Sequence, residues 1–438
     1  MKRIRYHVMS LLLWFNIFHF AIAQEVGTGN TISLKLTEDD AVSKALNLNI
    51  SLLRASNTLL AKKRTSDRSM NALLPSLTLG SGVMHSNEVS YDTSNWTRFA
   101  SVKTSLNVSP GVLHEIEATK LAYDVQKISY EQAKKDVELS VRKYYKSLLV
   151  THENIKLLSQ NVQTAQKNYE TVVAKQHAGL ASETETLSAL VSLENSKSKL
   201  TMAQTNYADQ VETLKQLIGI DQNTYVILEG TLNSPDKDKL MNNVASFIKE
   251  AGPSLEEQRL RSQLLVAETN RKAIINNTLA PSLSVSWTYQ PTYSSTTSTW
   301  IDQGSVSVAL SWSIDALLPF SSAGENRDSS EDTIRDLHYQ LEDARNTANL
   351  NRASYLRQIE QYLMLLQSYK ANEQLALRSV DLTQTAYTNG LTDLISLQNA
   401  IDNLSEVRYA ILENIYNLSI VILNLEYSLG LPFGSLGR

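Results

Sequence analysis

The residue types that most often carry enzyme chemistry are few and scattered in this chain of 438 residues. It has no cysteine, and five of its seven histidines follow the first 23 residues, at positions 85, 114, 152, 177 and 338. None of these histidines has a partner at metal-ligand spacing, and the methionines are scattered. No glycine-rich phosphate loop, Ser-His-Asp set or pair of catalytic carboxylates can be argued. We therefore expect no enzyme activity, metal site or cofactor.

The first 23 residues have the features of a secretory signal peptide. Lys2, Arg3 and Arg5 form a positive start, residues 8–20 an apolar run, and residues 21–23 a small-residue cleavage site. The run is short and interrupted, which favours a cleaved leader over a membrane anchor. Without cysteine, we expect no N-terminal lipid anchor. The formal net charge of −4 argues against nucleic acid as a partner.

After the leader, the sequence repeats itself at an offset of about 210 residues, a period that marks duplication of a whole unit. Ala72-Leu-Leu-Pro-Ser-Leu-Thr-Leu79 returns as Thr278-Leu-Ala-Pro-Ser-Leu-Ser-Val285, and the glycine pairs 179/390 and 219/430 keep one offset. We therefore divide the chain into a leader (1–23), a first repeat (24–220), a connector (221–252) and a second repeat (253–438). Each repeat is predicted to run helix, strand, strand, very long helix, turn, helix.

Two segments in each repeat alternate apolar and polar residues, as strands with two different faces do. The apolar series of the second repeat are Leu283, Val285, Trp287 and Tyr289, then Val306, Val308, Leu310 and Trp312. Those of the first repeat are weaker: Leu77, Leu79 and Val83, then Ala100, Val102, Leu106 and Val108. One such strand alone would fit a soluble half-buried sheet. Four strands of roughly ten residues, two with aromatic residues near their ends, instead predict outer-membrane strands with a polar lumen face.

Four strands cannot close a barrel, and lipid does not tolerate an open sheet edge. If these strands span a membrane, several chains must share one barrel.

The helical segments follow a seven-residue pattern that demands coiled-coil packing. Apolar residues at 4,3 spacing run from Val137 to Val172 with only Thr151 as an exception, and from Leu394 to Leu429 with only Arg408. We expect helices over 37–73, 113–175, 180–217 and 325–388, and the second spans ~95 Å at the α-helical rise. The two shorter helices of a repeat, placed end to end, match its long one, which suggests a hollow tube of paired helices. The connector, with a short apolar stretch (225–228) and a brief amphipathic helix, is expected as a belt outside it.

Together these features resemble the TolC family of outer-membrane efflux and secretion channels. The resemblance is carried by Leu36-Thr-Glu-Asp-Asp-Ala-Val-Ser-Lys-Ala-Leu46, the two Pro-Ser-Leu strand entries, the turns at 178–182 and 389–393, and the endings Ile218-Gly219 and Leu429-Gly430. It implies a mainly α fold with a transmembrane β part. It further implies a homotrimer, with four strands per chain in a twelve-stranded barrel and long coiled-coil helices in a periplasmic α-barrel.

The function that this resemblance implies is the outer-membrane channel of a tripartite efflux system in a Gram-negative bacterium. Such a channel lies in outer-membrane lipid and is a passive conduit, fed by a periplasmic adaptor and an inner-membrane RND, ABC or MFS pump. The alternative is the outer-membrane duct of a type I protein secretion system, and the sequence separates neither these two nor their cargo. A coiled-coil envelope protein without a pore would explain the heptads but not the four strands.

The resemblance also implies that the two turns between long and short helices are the adaptor-docking tips. Their residues are Gly179, Leu180, Ala181 and Ser182, then Gly390, Leu391, Thr392 and Asp393. The glycines are expected as helix caps with positive φ in any case, and docking would add to that role. Ser182 with Glu185 is expected to form a capping box, and Asp393 an equivalent cap. The rival interpretation of these acids is a carboxylate ring that favours cations at the tunnel entrance.

At the entrance the chain departs from the best-known family pattern of two aspartates, six and nine residues beyond the second tip glycine. Ser396 and Asn399 occupy these positions, and Glu185 is the one matching acid of the first repeat. Arg408, at an apolar heptad position, is expected either to pair with an acid on a neighbouring helix and hold the entrance shut, or to extend into solvent.

Overall fold

The computed structural model describes residues 33–85, 96–249, 252–294, 299–314, 318 and 320–437. The predicted leader lies outside the described residues. The first repeat contains β1 (Ser33–Leu36), α1 (Glu38–Leu48), α2 (Ile50–Asp67), a 3-10 turn (Ser69–Leu73), β2 (Ser76–His85), β3 (Trp96–Val108), α3 (Val112–His177) and α4 (Glu183–Ile218). The connector contains β4 (Tyr225–Leu228) and α5 (Lys237–Lys249).

The second repeat begins with α6 (Leu255–Leu279) and then forms β5 (Ser282–Tyr289), β6 (Thr292–Ser294), β7 (Thr299–Ile301), β8 (Gly304–Ser311), α7 (Ser322–Thr388) and α8 (Leu394–Leu429). The two long helices, α3 and α7, contain 66 and 67 residues. Each is therefore ~100 Å long, as the heptad pattern predicts. Among the described residues, none of the helices is both long and apolar enough to cross a membrane.

The expected single helix over 37–73 is wrong, because the chain divides it at Asn49. The Asn49 side chain accepts a hydrogen bond from the Leu52 amide at 3.1 Å and so caps α2. Its own amide group donates to the Leu217 carbonyl oxygen at 2.7 Å, at the end of α4. Asparagine competes well for such caps, which explains the break. The capping box that opens α1 is confirmed: Thr37 and Asp40 exchange both of its hydrogen bonds.

The short helices of each repeat meet end to end beside the long one, as their lengths predict. The Asn49–Leu217 hydrogen bond joins α2 to α4 while both pack on α3. In the second repeat, Arg352 of α7 donates to the Ser428 carbonyl oxygen at 2.8 Å and to that of Gly252 at 3.0 Å. This arginine joins the end of α8 to the start of α6. Since α3 also packs on α6, the upper helices follow the order α2, α3, α6, α7.

The strands form one antiparallel sheet in the corresponding order β2, β3, β5, β8. Two of the four predicted strands are interrupted near one end. β6 continues β5 along β3, and β7 continues β8 along β6. The four-strand pattern is thus confirmed, with interruptions that the sequence pattern does not reveal.

Apolar heptad residues fill the cores between helices. Val141 and Leu148 of α3 and Leu397, Leu418 and Leu425 of α8 are fully buried. The exception at Thr151 has a polar explanation, since its hydroxyl donates to the Gln210 side chain of α4 at 3.0 Å.

The connector packs against the middle of the helices. β4 pairs in parallel with β1, a strand that the sequence analysis missed. The Tyr145 hydroxyl lies 2.7 Å from the carbonyl oxygens of Leu36 and Glu229, at the ends of these strands. On the second repeat, Leu240 and Val244 of α5 are buried against α7 and α8. The predicted amphipathic helix therefore exists, and its apolar face covers the helix pair.

Candidate functional site

One face of the sheet is apolar and exposed. Directly opposed residues of antiparallel strands point to the same face. The register pairs Leu283 with Leu310, Val285 with Val308 and Trp287 with Val306. Tyr289 ends the same series on β5. Val306, Val308 and Leu310 remain about 70% exposed in the single chain (72%, 67% and 71%), so a continuous apolar surface faces outward.

β2 continues this apolar surface, because Leu77 and Leu79 are 70% and 74% exposed. A soluble protein rarely exposes a contiguous apolar area of this kind. The alternate residues of β5 are Ser282, Ser284, Ser286 and Thr288, all half-buried. The opposite face of β5 is therefore made of small polar side chains.

One predicted membrane-strand residue lies outside the strand. β8 ends at Ser311, which pairs with Ser282, so Trp312 would have to pair with Pro281. Proline has no amide hydrogen to donate, and the ladder ends there. Trp312 is 54% exposed just beyond the strand, where an aromatic residue suits a membrane interface.

The two outer strands of the sheet leave an edge unpaired. Within the described residues, β2 pairs with β3 alone and β8 pairs with β5 alone. Each edge presents a row of free backbone donors and acceptors, which in lipid must be satisfied.

The two tip turns have the same backbone geometry. Gly179 and Gly390 both have a φ of 75°. In each turn the next residue, Leu180 or Leu391, donates its amide at 2.8 Å to a carbonyl five residues earlier. These are the hydrogen bonds of a Schellman motif, so the predicted caps with positive φ are confirmed.

The surface around both tip glycines is open. Leu180 and Leu391 are 77% and 80% exposed. A Cβ atom added at Gly179 or Gly390 would meet no heavy atom within 4 Å. Ala181 instead packs against the cluster of apolar residues between the tips. The outermost points of the helical hairpins thus present leucine and glycine without a covering partner.

The N-terminal caps after the tips agree with prediction in part. Ser182 accepts from the Glu185 amide at 3.2 Å, and Asp393 accepts from the Ser396 amide at 2.8 Å. Hydrogen bonds from Ser396 lower the pKa of the Asp393 carboxyl. The predicted capping box is incomplete, however, because the Glu185 carboxylate accepts a hydrogen bond from the Tyr387 hydroxyl at 3.0 Å.

Tyr387 holds the two helical tips together. Its ring lies among Val172 of α3, Ala189 of α4 and Leu394 of α8, and the Lys175 ammonium lies 4.1 Å from the ring centroid. Burial, and then the nearby Glu185, raise the pKa of the Tyr387 hydroxyl to about 12. The sequence analysis missed this residue. The sequence did contain a signal for it: Tyr387 is aromatic, whereas the equivalent position of the first repeat is occupied by Gln176.

The other predicted entrance residues lie along α8. Ser396 and Asn399 are exposed on one side of its first turns. Further along, Arg408 Nε donates to Glu373 Oε1 of α7 at 3.0 Å. Arg408 therefore pairs with an acid on a neighbouring helix, the first of its two expected arrangements.

Solved outer-membrane channels share this fold over both repeats. The Campylobacter jejuni CmeC outer membrane channel aligns with a TM-score of 0.73 at 16% identity, over 90% of this chain and 85% of that one. The Vibrio cholerae outer membrane protein VceC aligns with a TM-score of 0.72 at 14% identity, over 90% of this chain and 96% of that one. The open state of the Neisseria gonorrhoeae MtrE outer membrane channel aligns with a TM-score of 0.68 at 16% identity, over 90% of this chain and 89% of that one. At such identities the likeness establishes the fold. No curated protein sequence matches the chain.

A family model matches the first repeat in sequence. Residues 41–220, which run from α1 to the end of the first repeat, match the model of the outer membrane efflux protein family. Together with the shared fold, this match gives the chain a TolC-like fold and does not favour a protein-secretion duct.

Several predicted site residues of this chain lie close together in the structure. Glu185 and the two tip turns meet around Tyr387, whereas Arg408 and Glu373 form a separate pair further up the hairpins. The apolar strand residues lie at the opposite end of the long helices. The protein therefore has two candidate functional surfaces, an apolar sheet and a pair of helical tips.

Proposed function

We propose that this protein is the outer-membrane channel of a tripartite efflux system, acting as a passive conduit to the exterior. Three copies would share one barrel in outer-membrane lipid, and a periplasmic adaptor linked to an inner-membrane RND, ABC or MFS pump would bind the tips. Members of the family in general work as trimers with tripartite pumps.

The observation that carries this proposal is the four-stranded sheet with one exposed apolar face, one polar face and two free edges. Such a sheet is unstable in lipid unless its edges are paired. If β2 of one copy pairs with β8 of the next, both edges are satisfied and the polar faces line a water-filled pore. Three copies would give twelve strands.

The tips support the proposed adaptor contact. Leu180 and Leu391 are exposed beside glycines that leave the surrounding space open. Exposed leucines at the ends of two similar helical hairpins fit a partner that itself presents helical hairpins. The tip leucines are thus the proposed adaptor contacts, with Ser182, Thr392 and Asp393 beside them.

The entrance just inside the tips would carry little charge. Ser396 and Asn399 are uncharged, and the Glu185 carboxylate is engaged by Tyr387. We therefore propose weak cation selectivity for the closed entrance, since rings of free carboxylates are what make such entrances selective.

The decisive experiment combines mass and conductance. The full-length protein, extracted in detergent, should have the mass of three chains by multi-angle light scattering, and it should form pores in planar bilayers. A stable monomer that forms no pores would overturn the proposal.

A further inference from the structure

We propose that the helical layer of one copy binds the next through a charged seam, formed by an acidic stripe on α7 and a basic stripe on α2. This inference rests on the proposed shared barrel and names the contact that would close it beneath the membrane.

The basic stripe consists of Arg54, Arg64 and Arg68 and follows the free face of α2. The buried or half-buried positions mark the side of α2 that packs on α3, and they are Leu52, Ala55, Ser56, Leu59 and Ser66. At 3.6 residues per turn, Arg54 and Arg64 fall on the opposite side of the helix, and Arg68 is the residue that caps its end. All three are exposed, and none of them forms an ion pair with a described residue.

The acidic stripe consists of Glu325, Asp328, Asp332 and Asp336 and follows the free face of α7. The spacing of 3, 4 and 4 keeps the four side chains on one side of the helix. All four are exposed. Their polar contacts within the described residues are local, since Asp332 pairs with Arg335 and Asp336 accepts from Gln340, both on α7.

The side of α7 that faces α6 is separate from this stripe. Glu331 pairs with Arg271 of α6 at 3.3 Å, and Arg345 pairs with Glu257 of α6 at 3.1 Å. These pairs fix which face of α7 is already occupied. The acidic stripe points away from them, toward the side where the described residues provide no further helix.

Both stripes lie at the same level of the molecule. α2 ends at Asp67, shortly before β2 begins at Ser76, and α7 begins at Ser322, shortly after β8 ends at Ser311. Each stripe thus starts just below the sheet. At the α-helical rise, Arg54 to Arg68 spans ~21 Å and Glu325 to Asp336 ~17 Å.

The occupant of each stripe is a second copy of this chain. α2 and α7 are the two outer members of the order α2, α3, α6, α7, just as β2 and β8 are the outer strands of the sheet. Pairing β2 of one copy with β8 of the next would bring α2 of the first beside α7 of the second. Opposite charges then face each other, and this head-to-tail contact can repeat around a closed ring.

The absence of cysteine allows a direct test by cross-linking. Arg64→Cys would be combined in turn with Glu325→Cys, Asp328→Cys, Asp332→Cys and Asp336→Cys in the full-length protein. α2 and α7 are not neighbours within one chain, so a disulfide must join two copies. We expect covalent dimers and trimers from at least one of these pairs, and much less from Lys62→Cys combined with the same four substitutions.

Charge reversal tests the energetics. Arg64→Glu with Arg68→Glu should raise the concentration at which detergent-extracted trimers dissociate by about tenfold or more, because like charges then oppose each other. Adding Asp328→Lys with Asp332→Lys to the same chain should restore most of the loss. The control Lys62→Glu with Lys63→Glu changes the net charge by the same amount at exposed positions of α2 outside the basic stripe, and it should have little effect.

The possible outcomes separate this seam from the proposed function. If the unmodified protein is a trimer, but no cysteine pair cross-links and the reversal harms assembly no more than its control, the seam is wrong and the channel proposal stands. If the unmodified protein is a monomer, the channel proposal fails and the seam fails with it.

Discussion

Tyr387, near the end of α7, donates a hydrogen bond across 3.0 Å to the carboxylate of Glu185, in the first turn of α4. The two residues belong to different repeats, so this contact ties the two helical tips of one chain together. The Lys175 ammonium over the Tyr387 ring adds a third helix to the same contact. Any widening of the gap between the tips must break it or move all three helices together.

We predict that Tyr387→Phe loosens the tips. The ring still fills the space beside Val172 and Leu394, but the Glu185 carboxylate loses its partner. Tyr387 is buried, and a hydrogen bond to a charged group contributes about 1.5–3 kcal/mol. We expect a higher single-channel conductance in planar bilayers. Tyr362→Phe on the same helix, whose hydroxyl makes no hydrogen bond to a described residue, serves as the control. Equal conductance in both variants would contradict the prediction.

The hydrogen bond between Tyr387 and Glu185 should be lost at alkaline pH. Because the pKa of Tyr387 is raised from 10.0 to about 12, the neutral hydroxyl is favoured in the folded protein. Its stabilising contribution is complete below pH 10 and is lost as the pH rises toward about 12. Amide hydrogen exchange at the tips should therefore accelerate over this range in the unmodified protein, beyond its intrinsic rate. A similar acceleration in Tyr387→Phe would show that another group is responsible.

Larger side chains at the two tip glycines should interfere with adaptor binding. Gly179→Glu and Gly390→Glu are predicted to abolish export while the protein remains in the outer membrane. The added Cβ atom would meet no heavy atom of the chain within 4 Å, and the rest of the side chain would project into the space of an adaptor. Gly179→Asn is the matched control, since asparagine tolerates a positive φ better than other residues do. Normal export by both glutamate variants would exclude docking at the tips.

The Arg408–Glu373 ion pair provides a separate test of closure at the entrance. Arg408→Ala should raise single-channel conductance, because α7 and α8 lose a contact between them. Both side chains are partly exposed, so the pair itself contributes up to ~1 kcal/mol. The double exchange Arg408→Glu with Glu373→Arg should return conductance toward the original value. Unchanged conductance in Arg408→Ala would mean that the pair has no part in closure.

The sequence predicts this fold well where a single segment contains the whole signal. Heptads, alternating strands and positive-φ glycines each depend on a few neighbouring residues, and the matched offset of Gly179 and Gly390 shows the duplication directly. The burial of Leu397 and Leu418 and the register of Leu283 opposite Leu310 follow from these patterns.

Contacts between helices could not be predicted in the same way. The Glu185 carboxylate has two possible partners, the backbone at the cap or a hydroxyl from another helix, and the rotation of α7 decides between them. Asn49 similarly ends a helix because the end of α4 lies within reach of its side chain. Such choices depend on the relative rotation and translation of long helices, and these are set by the sum of many core contacts.

The apolar face of the sheet gives the sharpest test of membrane insertion, because adjacent residues of β8 point to opposite faces. Val308 lies opposite Val285 on the apolar face, and Ser307 lies opposite Ser286 on the polar face. Val308→Lys would place a charge in lipid at a cost of about 2–4 kcal/mol near the membrane midplane. We expect much less folded trimer in the outer membrane for this variant. Ser307→Lys carries the same charge toward the lumen and should assemble normally, with reduced conductance for cations. If the two variants assemble equally well, the apolar face does not contact lipid.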